Sequence, residues 1–160
     1  VPLPENTKAL RAWPAALTGD SAGKFAVYAE LEDKQGVRRL WSAGKGVAGH
    51  GDEAEVKEFA KVPGLGENTE VADMQIVECE VTLLTSDGEL YGWTQKDEKF
   101  NDGTMTPKAL EAVNKLGKVL KHCKSKTHML VQVESEGAKR LYSVGKPLDG
   151  ERSHLGLSEA

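Results

Sequence analysis

What the sequence lacks sets the first bounds. Its two cysteines, Cys79 and Cys123, are too few for the disulfide framework of a small secreted domain. In their apolar, strand-like surroundings both read as buried free thiols of a reducing compartment. No apolar run approaches the roughly 18 residues that a membrane-crossing helix needs. Positive charge is not in excess: a net charge of −4 gives no long-range attraction to nucleic acid, although a local basic patch stays open. The opening Val1-Pro2-Leu3-Pro4 has neither a methionine nor a charged-then-apolar signal, so it reads as the interior of a longer chain or a processed end. What is present, 39% hydrophobic and 29% charged residues over a length of one-domain size, describes a globular and soluble chain.

One stretch organises the rest. Gly36-Val37-Arg38-Arg39-Leu40-Trp41-Ser42-Ala43-Gly44-Lys45 returns as Gly137-Ala138-Lys139-Arg140-Leu141-Tyr142-Ser143-Val144-Gly145-Lys146, with the other positions exchanged like for like. A weaker copy, Gly88-Glu89-Leu90-Tyr91-Gly92-Trp93-Thr94-Gln95, lies midway and spaces Trp41, Tyr91 and Tyr142 by about 50 residues, a period found in propellers and solenoids.

Each copy closes a predicted hairpin. Phe25 to Leu31 runs out, Asp33-Lys34-Gln35-Gly36 turns, and Val37 to Ala43 returns. Ile76 to Thr85 is one β-rich run, Ser86-Asp87-Gly88 is a hairpin turn, and Glu89 to Trp93 returns. Thr127 to Val133, Glu134 to Gly137 and Lys139 to Val144 repeat the grammar. Ahead of the first hairpin, Val1 to Leu10 reads as a connection or edge segment, and Thr18 to Gly23 as a loop. Segments after the return strands, such as Glu53 to Val62, suit either helix or strand. Thr106 to Leu120 has a helical stripe of Leu110, Val113, Leu116 and Leu120 behind Thr106 and Pro107. Its rival is at most a short turn of helix, with outer strands whose Leu110, Val113, Val119 and Cys123 pack between sheets.

Candidate chemistry is sparse. Gly44-Lys45-Gly46-Val47-Ala48-Gly49 has the glycine spacing of a dinucleotide-binding turn, in which backbone amides approach a pyrophosphate at a helix N-terminus. The carboxylates of Asp52, Glu53 and Glu55 follow where the phosphate would sit, so an ordinary inter-strand loop is the stronger reading. His122, Cys123 and His128 are ligand types for zinc but lack a fourth partner at suitable spacing, and adjacent strand residues point to opposite faces; no metal site is expected. No nucleophile-and-base arrangement stands out. The basic pairs Arg38-Arg39 and Lys139-Arg140 leave a phosphate-contacting stripe open.

The run from Thr106-Pro107 through Gly117-Lys118-Val119-Leu120-Lys121-His122-Cys123, the turn Ser86-Asp87-Gly88 with Leu90-Tyr91-Gly92-Trp93, and Leu141-Tyr142-Ser143-Val144-Gly145 together resemble the repeats of the regulator of chromosome condensation family. The sequence departs from that pattern at Lys124, Ala43, Val144 and Thr94. The resemblance implies an all-β fold of consecutive four-stranded antiparallel blades of a β-propeller, seven-bladed in most members, here an incomplete set, with room for at most the minor helix that periodicity suggests at 106–120. Repeats are expected at about 10–62, 73–117 and 118–160, the last truncated. Structural repeat positions are then Gly36, Leu40, Trp41, Gly44, Gly88, Leu90, Tyr91, Trp93, Gly137, Leu141, Tyr142 and Gly145.

By the same resemblance the chain is a non-catalytic protein-interaction module without cofactor, intracellular and either cytoplasmic or nuclear. Its implied partners are a small GTPase of the Ran type, chromatin, or the remaining blades in the parent chain or another chain. The polar loop from Lys96 to Thr104, with Lys96, Asp97, Lys99, Phe100 and Asn101, is the expected partner contact. The alternative is a small nucleotide-binding enzyme built on Gly44 to Gly49.

Overall fold

The structure, a computed structural model, describes residues 1–16, 25–46, 48–52, 54–94 and 104–145. These form three antiparallel sheets in chain order. The first has β1 (Thr7–Ala16), β2 (Phe25–Asp33), β3 (Arg38–Gly44) and β4 (Val56–Lys61) side by side. The second has β5 (Val71–Val77), β6 (Glu80–Thr85), β7 (Leu90–Thr94) and β8 (Lys108–Ala109), also in sequence order. In the third, β9 (Lys118–Lys124), β10 (His128–Ser135) and β11 (Ala138–Gly145) complete the described strands. A single turn of helix, α1 (Glu111–Asn114), links the second sheet to the third.

Local chemistry explains most of these elements. At the β2–β3 turn the Asp33 carboxylate accepts the amides of Gln35 and Val37 at 2.9 and 3.0 Å. Those backbone bonds, Val37's foremost, hold its acid strength above that of a free aspartate. The turn glycines Gly36, Gly88 and Gly137 take positive φ (79°, 97° and 76°), which a β-carbon would oppose. Pro14 is tolerated inside β1 because β1 lies at the sheet edge.

One expectation is corrected and the open readings are resolved. Of the two readings of the polar start, the edge segment is the one found from Thr7 onward, where β1 begins and pairs with β2 through Trp13↔Tyr28 and Ala16↔Phe25. The run from Ile76 to Thr85 is not one strand: it splits at a two-residue turn of Glu78 and Cys79, with Glu78 at φ 54° and Val77 facing Glu80. Between 106 and 120 the chain makes one helical turn, in line with the reading of a short turn of helix at most. Lys108 and Ala109 pair with Gly92 and Tyr91, and the Asn114 side chain brackets the backbone of Leu90 at 2.9 and 3.1 Å. Lys118 already opens β9. The segment after Gly49 resolves as strand β4, not helix.

The sheets stack face to face on two apolar seams. Tyr28, Leu40, Val71, Met74, Leu83 and Trp93 meet between the first and second. Leu84, Leu90, Val113, Val119, Met129 and Val131 meet between the second and third. Leu110, Val113 and Val119 thus pack between sheets as expected, whereas Cys123 does not: it is exposed, and Cys79 is half-buried in its turn. The expectation of two buried thiols fails because Cys123 takes the strand position opposite in face to buried His122.

Candidate interaction surfaces

Polar side chains cross both seams from one register position. In the first sheet Arg11 faces Glu30 across the β1–β2 ladder. Glu30, 1% exposed, binds Arg11 at 2.9 Å and accepts the amide of Val71 at 3.0 Å. Arg11 in turn donates to the carbonyls of Val71 and Ala72. Together they hold the backbone at the start of β5, the first strand of the next sheet. A buried carboxylate needs such partners to offset its lost hydration.

In the second sheet Gln75 faces Thr82 across the β5–β6 ladder, the counterpart of Arg11 and Glu30. Gln75 Nε2 donates to the His122 carbonyl at 2.8 Å and its Oε1 accepts the Lys124 amide at 2.7 Å, so again the first strand of the next sheet is held by its backbone. Thr82 Oγ1 bonds His122 Nε2 at 3.0 Å. The neighbouring second-strand position also crosses each seam: Trp93 Nε1 donates to the Tyr28 hydroxyl at 2.8 Å, and Lys124 pairs with Glu80 at 2.5 Å. Burial pushes the Tyr28 phenol up and holds His122 in its neutral form by lowering its pKa, against the opposing pull of Asp73.

The repeat positions divide by environment. Leu40, Leu90 and Trp93 are buried, at 2%, 0% and 0% exposed. Trp41, Tyr91 and Tyr142 are half-buried, Trp41 lying 5.7 Å from Lys61 Nζ and the Tyr91 hydroxyl donating to Glu89 at 2.8 Å. Burial first, then Glu89, pushes that phenol up to about 12. Ladder register sets Trp41, Trp93 and Tyr142 opposite Ala29, Val81 and Val131, so Trp93 holds the cross-strand place that the 50-residue spacing gives to Tyr91. Gly88 is buried, Gly44 half-buried, and Gly36, Gly137 and Gly145 exposed. Lys96, Asp97, Lys99, Phe100 and Asn101 lie outside the described residues.

The Gly44–Gly49 loop is spent on packing. Gly44 sits at φ 116°, where a β-carbon would come within 2.2 Å of the Phe25 carbonyl oxygen. At Gly49 a β-carbon would lie 3.2 Å from Trp93 Nε1. The loop leads to β4, so the helix terminus that would cradle a pyrophosphate is not formed.

A Ser42–His50 contact went unseen in the sequence, which gives no sign that the loop folds back on β3. Ser42 Oγ donates to the Ala48 carbonyl at 2.6 Å and lies 2.8 Å from His50 Nε2. Its one hydrogen is committed, so His50 acts as donor and not as base. With Ser42 0% exposed, the pair fixes the loop and has no reach to a substrate. Arg38 and Arg39 are occupied with carboxylates where the sequence left a phosphate-contacting stripe open: they pair with Glu32, Glu70, Asp33 and Glu67 at 2.9 to 3.2 Å. Lys139 and Arg140 remain exposed. Among the described residues no cluster of metal-ligating side chains occurs, and no helix is long and apolar enough to cross a membrane.

Consecutive antiparallel sheets stacked in this way are blades of a β-propeller. Solved structures with the same fold are propellers of the regulator of chromosome condensation kind. Yeast RCC1 (Prp20), solved bound to Kap60, superposes with a TM-score of 0.55 at 19% identity over 83% of this chain. Prp20p from Saccharomyces cerevisiae, described with its binding to Gsp1p and histones, gives 0.51 at 20% identity over 75%. Human WBSCR16 gives 0.53 at 20% over 75%. In each case the match spans 31% of the solved chain. No protein-family model matches the sequence, and no curated protein does. The fold is therefore that of regulator of chromosome condensation-type blades, here an incomplete set.

Proposed function

We propose that the chain is a non-catalytic protein-interaction module, a part-propeller with repeats at about 10–62, 73–117 and 118–160. The observation that carries this reading is the pair of polar-laced seams, which stack the described sheets as blades and consume their buried polar groups in holding one another. The connection from β7 to β8, with Lys96, Asp97, Lys99, Phe100 and Asn101, is the partner contact, being polar and tied to a rigid sheet at both ends. Its partner is a small GTPase of the Ran type, the class that the family resemblance implies, acting in the cytoplasm or nucleus.

Biolayer interferometry of the immobilised chain against a Ran-type GTPase, nucleotide-free and GDP- or GTP-loaded, tests this. Binding in the micromolar range that weakens at least tenfold on combining Lys96→Glu with Lys99→Glu is expected. Absence of binding by every nucleotide state would overturn the partner assignment, and binding untouched by the double substitution would overturn the contact loop.

A further inference from the structure

The loop that the Ser42–His50 pair fixes does not end on its own sheet. Ser42 Oγ gives its hydrogen to the Ala48 carbonyl, so the 2.8 Å contact with His50 is donated by the imidazole Nε2–H. Ala48, 1% exposed, is thereby set into the first seam, and Gly49 lies so close to Trp93 and Val62 that a β-carbon there would come within 3.2 and 3.3 Å of them. One residue past His50, the Gly51 amide donates to the Met105 carbonyl at 3.3 Å. A loop of the first sheet thus bonds the backbone of the second, a few residues ahead of β8.

Met105 belongs to the returning end of the connection from β7 to β8. The outgoing end is Thr94, whose hydroxyl donates to the Cys79 carbonyl at 3.1 Å and whose amide donates to the Thr104 carbonyl at 2.9 Å. The two ends therefore meet. One is held by the β5–β6 turn of its own sheet, and the other by Gly51 from the sheet before it. That second hold depends on a loop whose shape hangs on one imidazole hydrogen bond.

We infer that His50 is a positioning residue for the partner contact carried by the β7–β8 connection, acting through Ser42, Gly51 and Met105 without touching the partner. The inference rests on the reading of that connection as the contact. A connection whose ends are already fixed gives up less conformational freedom when it orders against a partner, so the hold on Met105 bears on affinity. A role in loop stability alone has a different signature, because loss of the imidazole would then loosen the molecule generally or leave the connection unaffected.

The test is limited tryptic digestion of the full chain, read by mass spectrometry as the rate of cleavage after Lys96 and Lys99 against the rate after Lys34. Lys34 is exposed in the β2–β3 turn, at the opposite end of the strands from the 44–51 loop. His50→Ala is expected to speed cleavage after Lys96 and Lys99 at least about threefold, with the Lys34 rate unchanged. His50→Gln, whose side-chain amide still donates, is expected to keep both rates near those of the parent chain. Ser42→Ala removes the acceptor of the same bond and is expected to act as His50→Ala does, so the comparison does not depend on one variant folding.

Unchanged cleavage of the connection, absent cleavage included, overturns the inference. Equal acceleration at Lys34 overturns it too, in favour of general stability, as does an effect of His50→Gln as large as that of His50→Ala. In interferometry against the GTPase, His50→Ala is expected to weaken binding at least about threefold; an unchanged affinity alongside faster cleavage would overturn the bearing of His50 on the contact. Digestion involves no GTPase, so failure here and failure of the partner assignment are distinguishable.

Discussion

At the scale of single residues, stability is concentrated where one buried polar atom serves two sheets. The Trp93 indole N–H has its bond in the Tyr28 hydroxyl at 2.8 Å, with the rings edge to face at 5.8 Å between centroids. Tyr28→Phe keeps the ring contact and removes the hydroxyl, leaving the fully buried Trp93 donor without this acceptor. The expected loss is about 1–3 kcal/mol in urea unfolding. Tyr142→Phe, at a half-buried position, serves as the control and is expected to cost less than about 0.5 kcal/mol. Equal losses at the two tyrosines would show that the Trp93 bond contributes nothing of its own.

At the scale of elements, the seam between the second and third sheets makes folding sensitive to acid. His122 sits in it with its side chain fully buried, Nε2 on Thr82 and Nδ1 3.5 Å from Asp73 Oδ2. Burial lowers its pKa in the folded state, so the unfolded chain binds the proton more readily. Stability is therefore complete above the unfolded value of about 6.5 and declines as pH falls through it. His50 shifts in the same direction for the same reason. Urea midpoints at pH 7.5 and pH 5.5 are expected to differ by less in His122→Gln than in the parent chain. An unchanged pH dependence in that variant would remove His122 as a cause.

What the sequence displays at this scale is local. The β2–β3 and β6–β7 hairpins are legible because Gly36 and Gly88 stand where the turns demand positive φ. The β5–β6 turn is not, because a glutamate and a cysteine make it and Glu78 takes positive φ without a glycine's help. Pro14 and the polar flank disguise β1, whose pairing partner is supplied by β2. The candidate surfaces were less legible still. Arg11 reaches residues 60 and 61 positions away and Gln75 reaches 47 and 49, so their meaning appears only once the sheets are stacked. Arg38 and Arg39 read as a basic stripe because their acidic partners Glu67 and Glu70 come from the loop after β4.

At the scale of the whole molecule, the sheets form a one-dimensional stack in which each contacts mainly its neighbours, so protection should follow position. The second sheet has seams on both faces, and β6 lies inside it between β5 and β7. The third sheet has one apolar seam, while its other face carries exposed Leu141 and Lys121. β11 lies at the edge of the described strands of that sheet and pairs only with β10. Local opening takes the least covered unit first. Hydrogen exchange followed by mass spectrometry is therefore expected to show amides of β11 exchanging ahead of those in β2, and those in β6 last. Tyr28→Phe strikes the first seam and leaves β11 bonded as before, so it should speed exchange in β2 and β6 more than in β11. Equal acceleration in all three strands would mean that the sheets open as one cooperative unit, with the seams too strong to yield separately.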